Sequence, residues 1–83
     1  MTLINIIVDC AFYTGTVKGA IEEDLGTYNS EKRCAEMVRI RKPDAKGATY
    51  HLKNKKCWAE YGDKIENSDS DVYRACIFKI GEC

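Results

Sequence analysis

The sequence predicts an α+β domain in which one helix packs on a small antiparallel sheet and disulfides staple the two together, and three observations carry that expectation. A single amphipathic helical pattern runs from about Ser30 to Arg41 and stops before Pro43. Runs rich in β-branched and aromatic residues lie on both sides of it. Five cysteines occur in a chain of only 83 residues. A domain near 60 residues removes only about 60% of its unfolded surface from water, and small domains with thin cores recruit disulfides.

Taken in chain order, Leu3 to Phe12 is rich in Ile, Val and aromatic residues, is followed by Thr14-Gly15, and reads as a first strand buried on both faces with Cys10 near its end. Thr16 to Thr27 holds Gly19, Gly26 and the acidic run Glu22-Glu23-Asp24, with too little periodicity for a regular element, and reads as loop or irregular strand. Asn29 or Ser30 then caps the helix by accepting a hydrogen bond from an early backbone N–H, and Glu31 complements its positive end. Cys34, Met37 and Val38 recur at helical spacing as its apolar stripe. Arg39 and Arg41 suit the negative end, and the Pro43 ring disfavours helical geometry at Lys42. Beyond the loop Asp44 to Gly47 come two strands, Ala48 to Leu52 and Lys56 to Tyr61, joined as a hairpin by Lys53-Asn54-Lys55. Gly62 to Asp71 is an acidic loop. Val72 to Ile80 is a last strand with apolar residues on both faces and so a central place in the sheet. There is no internal repeat or linker, and residues 1–83 form one domain.

Composition narrows the class further. Hydrophobic residues at 45% and charged residues at 31% fit a folded globular chain rather than a disordered one. Five cysteines in so small a domain point to an oxidising, extracellular setting, the alternative being a cytosolic chain with reduced, buried cysteines, and the lack of a CxxC pair removes the usual support for a zinc ribbon or a thioredoxin-like motif. The opening Met1 to Val8 has no basic start and meets Asp9 too early for a signal peptide. No apolar run approaches the roughly 20 residues of a membrane span, so no membrane insertion is expected. Neither Asn29-Ser30-Glu31 nor Asn67-Ser68-Asp69 is a glycosylation acceptor.

The formal net charge of zero hides an asymmetry, since nine of the 13 basic residues fall between Lys32 and Lys56 against two acids, Glu36 and Asp44. Such a block is either a solvated face or an attractor of polyanions such as a sulfated glycan. Nucleic acid is not expected as a partner, because no binding motif accompanies it and the pI is about 6.6.

The cysteines at 10, 34, 57 and 76 fall in the first strand, the helix, the hairpin and the last strand. With Gly47-Ala48-Thr49-Tyr50, Lys56-Cys57-Trp58-Ala59-Glu60-Tyr61-Gly62, Asn67-Ser68 and Val72-Tyr73-Arg74-Ala75-Cys76, this arrangement resembles the PAN/apple family, in particular short extracellular modules of marine invertebrates. The likeness spans about Ser30 to Phe78 and lacks the additional helix-proximal cysteine pair of the fuller pattern. Five cysteines permit fifteen ways to form two pairs, and the sequence alone leaves the choice open. The resemblance implies Cys34 with Cys57 and Cys10 with Cys76. Cys83 is then left over, and a terminal thiol in an oxidising compartment either stays free or links two chains as a homodimer.

Strand alternation defines a candidate site. If Cys57 faces the helix, Trp58 and Glu60 occupy the opposite face of the hairpin, where Thr49, His51 and Lys53 join them while Ala48, Tyr50 and Leu52 point inward. An aromatic ring beside a hydroxyl, a carboxylate and an imidazole suits a sugar, by stacking and directed hydrogen bonds; the alternative is a Trp58 covered by other parts of the chain. Lys53, Lys55 and Lys56 at the hairpin end extend the expected partners to sulfated glycan. His51 is the only histidine, and no cysteine has a catalytic signature to pair with it. The alternation Asn67-Ser68-Asp69-Ser70-Asp71 lacks the glycine and closing glutamate of an EF-hand. No cofactor or metal is expected. Together with the resemblance, these readings predict a secreted, non-enzymatic recognition module of lectin type for glycans or glycoproteins. The alternatives are a protein-binding adhesion or assembly module and, from another class, a small secreted enzyme or enzyme inhibitor.

Overall fold

The computed structural model describes residues 10–19, 21–67 and 71–79. Among them run β1 (Tyr13–Thr14), β2 (Thr16–Val17), β3 (Glu22–Thr27), α1 (Glu31–Arg41), β4 (Gly47–His51), β5 (Lys56–Glu60), β6 (Ile65–Glu66) and β7 (Tyr73–Ile77). Five strands form one sheet in the order β1-β7-β4-β5-β3, and β2 with β6 forms a separate two-stranded ribbon. Each pairing is antiparallel. This is the expected α+β architecture of one helix on a small antiparallel sheet, with two disulfides.

The helix begins where its cap places it. Ser30 has extended backbone angles, and its hydroxyl accepts a hydrogen bond from the Arg33 N–H at 3.1 Å, satisfying one of the four amides that a helix start leaves without partners. It ends at Lys42, whose N–H donates to the Val38 carbonyl at 2.8 Å before Pro43. Cys34, Ala35 and Val38 are its buried residues, with Met37 only half-buried at the edge of the stripe. At its first turn Glu31 takes a forked contact from Arg74 on β7, with Nε at 3.1 Å and the second branch at 3.5 Å. That pair fixes the helix start over the sheet.

The core is built largely from small residues. Ala35, Ala45, Ala48, Ala59, Cys34, Cys57 and Cys76 are all buried, with Leu25, Val38, Tyr50 and Phe78 supplying bulk. Alanines bury little area each, so the disulfides Cys34–Cys57 and Cys10–Cys76 lie where a larger domain would have aliphatic side chains. The first links α1 to β5 and the second links the chain before β1 to β7. Both are the pairings that the family resemblance implies.

Several elements differ from expectation. The first strand, Leu3 to Phe12, lies mostly outside the described residues; its described end, Cys10 to Phe12, is not strand, and pairing starts at Tyr13. Thr16 to Thr27 contains β2 and the six-residue β3, which forms an edge of the sheet against β5. The acids of this stretch, read as loop or irregular strand, are matched across space: Asp24 meets the Lys56 ammonium at 2.6 Å and Glu23 meets Lys42 at 3.1 Å. Register shifts between Asp24 and Thr27, and Gly26 there takes φ 91°, a conformation that costs glycine little. The loop Gly62 to Asp71 includes β6, which pairs with β2. The last strand is shorter than expected at both ends but lies inside the sheet between β1 and β4. Leu52, expected inward, is exposed because β4 ends at His51.

Candidate functional site

The side chains alternate as the strand period requires. Register places Tyr50 opposite Cys57 and Ala48 opposite Ala59 and Cys76, which defines the helix-side face. Thr49 lies opposite Trp58, Glu60 opposite Glu22, and His51 opposite Tyr73, and these belong to the other face. The β2–β6 ribbon stands over part of that face. Its close approach depends on Gly15, at φ 143°, because a Cβ there would collide with the Glu66 carbonyl oxygen.

Between the sheet and β2 lies a cavity of about 400 Å³. Thr49, Trp58 and Glu60 contribute three of its lining residues, Glu22 and Tyr73 flank them, and Thr16, Val17 and Gly19 complete the lining. Three of the residues singled out from sequence, Thr49, Trp58 and Glu60, therefore meet in one place. Glu22 and Tyr73 were missed. Alternation along the last strand could have placed Tyr73 on this face, whereas Glu22 was hidden in an acidic run read as loop or irregular strand.

The aromatic pair is open enough to contact a ligand. Trp58 is half-buried, its ring centroid 6.2 Å from that of Tyr73 at a tilt of 46°. Tyr73 in turn meets His51 edge-on at 4.8 Å. The Lys56 ammonium, paired with Asp24, stands over the Trp58 ring at 5.7 Å from its centroid.

Two polar groups in the cavity are unusual for their burial. Glu60 is 2% exposed, and its carboxyl is pushed up to about 8, first by burial and then by the neighbouring Glu22 carboxyl. Glu60 therefore holds its proton at neutral pH. Thr49 is equally buried, and its hydroxyl lies near enough to Glu60 to favour the ionised carboxylate slightly. No partner of that hydroxyl meets hydrogen-bond geometry among the described residues. A buried hydroxyl left unsatisfied costs about 1–3 kcal/mol, so among the described residues Thr49 adds a polar demand to the cavity beside Glu60.

The other sequence-derived candidates lie elsewhere. His51 borders Tyr73 but does not line the cavity, and its Nδ1 accepts from the backbone N–H groups of Lys53 and Asn54 at 3.2 and 3.1 Å. It braces the hairpin turn. Lys53 and Lys55 are exposed on that turn, with Lys55 at φ 66°, and neither they nor Lys56 line the cavity. The basic segment is not one free cationic face either, since Arg33 pairs with Glu36, Lys42 with Glu23 and Lys56 with Asp24. Cys83 and the middle of the Asn67 to Asp71 alternation lie outside the described residues. Among the described residues no group of His, Cys, Asp and Glu is placed to hold a metal, and no helix is long and apolar enough to cross a membrane.

Compared with protein-family models, with curated proteins and with solved structures, the chain matches none.

Proposed function

We propose that this chain is a secreted, non-enzymatic recognition module that binds carbohydrate in the cavity between the sheet and β2. The observation that carries the reading is the convergence of Trp58, Tyr73, Thr49, Glu60 and Glu22 on one open space large enough for a sugar ring. Rings of this kind stack on the C–H faces of a sugar, while the hydroxyl and carboxyl groups direct hydrogen bonds to its edge. The PAN/apple resemblance supports a recognition role, and the two disulfides are compatible with an extracellular setting. Binding is favoured over glycoside hydrolysis by the closeness of the two acids. Hydrolytic carboxyls stand at least about 5 Å apart with the scissile bond between them, whereas Glu22 and Glu60 are near enough to hydrogen-bond each other.

A glycan array followed by calorimetry on the best ligand tests the proposal. Trp58→Ala should abolish binding and leave the circular dichroism spectrum largely intact, because the ring is only half-buried. Binding that survives Trp58→Ala but falls steeply with salt would instead place recognition on Lys53, Lys55 and Lys56, as for a sulfated glycan. An array without a single positive, paired with capture of a protein ligand, would favour the adhesion alternative.

A further inference from the structure

The cavity is more acidic than a neutral sugar requires. Glu22 and Glu60 face one another across the β3–β5 register and both line it, and the Thr49 hydroxyl, 2% exposed and with no partner in hydrogen-bond geometry among the described residues, lines it beside them. Three oxygen-bearing side chains thus converge on the same space, and a primary ammonium carries three N–H donors and no acceptor. Two aromatic rings border them, and aromatic faces attract cations. Among the described residues no lysine or arginine lines the cavity to neutralise these groups. Lys56, over the Trp58 ring, is already paired with Asp24.

We infer that the cavity holds its ligand through a primary ammonium group, which the Glu22 and Glu60 carboxyls and the Thr49 hydroxyl receive, so that the carbohydrate proposed above is an amino sugar with its amine free. The sugar half of this inference rests on the preceding reading; the ammonium half rests on the acids and the hydroxyl alone. At neutral pH Glu60 keeps its proton, so its carboxyl receives the ammonium through the carbonyl oxygen, beside the Glu22 carboxyl. An N-acetylated amine has lost two of those donors and the charge. It should therefore be rejected.

Trp58 is the only tryptophan of the chain, so its fluorescence reports on this cavity directly. Titration of the intact protein with glucosamine, N-acetylglucosamine, glucose and ethylamine at pH 7 separates the possibilities. Glucosamine should bind at least about tenfold more tightly than either other sugar, since charge-assisted hydrogen bonds are roughly twice as strong as neutral ones. Glu22→Gln, a near-isosteric change at an exposed position, should reduce that preference several-fold with an unchanged circular dichroism spectrum. Equal affinity for the three sugars would overturn the ammonium inference and leave the carbohydrate reading standing. Ethylamine binding as tightly as glucosamine would support the ammonium site and overturn the carbohydrate reading. No response to any of the four would overturn both.

Discussion

Glu60 shows how one side chain can be legible in its direction and not in its chemistry. Alternation from Cys57 puts it opposite the helix, but its burial and its proximity to Glu22 come from two separate strands. A carboxyl raised to about 8 binds a proton in the folded state that the unfolded chain releases near pH 4.5, so between those values the native state holds more protons. Stability from this group is fully present below about pH 4.5 and is lost as pH rises toward 8, with a slope of at most about 1.4 kcal/mol per pH unit. Glu23 and Asp24, held low by Tyr61 and Lys42 and by Lys56 and Gly26 respectively, act in the opposite sense, but only as pH falls through the acid range. Tyr61, pushed up to about 12 chiefly by its hydrogen bond to Glu23, loses its contribution only above pH 10. Urea midpoints measured from pH 5 to 8 should therefore fall for the wild-type protein and stay nearly flat for Glu60→Gln. Identical slopes for the two proteins would mean that Glu60 titrates normally.

Among the elements, α1 and the β4–β5 hairpin were readable because their determinants are local. Ser30, Glu31, Arg39, Arg41 and Pro43 mark the helix ends within a few residues of the turns they act on, and Lys53-Asn54-Lys55 marks the hairpin. The edge strand β3 was readable only as loop or irregular strand, because its acids find Lys42 and Lys56 only after the sheet has assembled. The two-residue strands β2 and β6 are too short for any periodicity to register. The site divides along the same line: Thr49, Trp58 and Glu60 follow from alternation within one hairpin, while Glu22 and the covering β2 need non-local pairing. The joint between readable elements is Cys34–Cys57, which closes a separation of 23 residues. Replacing both cysteines by alanine should cost about 2–5 kcal/mol in equilibrium unfolding, with the helix and hairpin as the segments that gain amide exchange. A loss below about 0.5 kcal/mol would show that packing alone holds α1 to β5.

For the molecule as a whole, four of the five cysteines are used in internal links, and Cys83 is not among them. If that thiol joins two chains, oxidised protein should contain a dimer that Cys83→Ser converts to monomer without a shift in melting temperature, because a terminal crosslink closes no internal loop. Non-reducing mass spectrometry giving only monomer would remove covalent dimerisation. The two internal links have a further consequence, since Cys10–Cys76 spans 66 positions and Cys34–Cys57 lies wholly inside it. Nearly the whole chain is a ring enclosing a smaller ring. The exposed lysines Lys53 and Lys55 project from a turn belonging to both rings, so a single tryptic cut after either of them breaks the backbone and releases nothing. The nicked molecule should gain one water in mass, run as a single species on a non-reducing gel, and come apart only when a reductant opens both sulfur bridges.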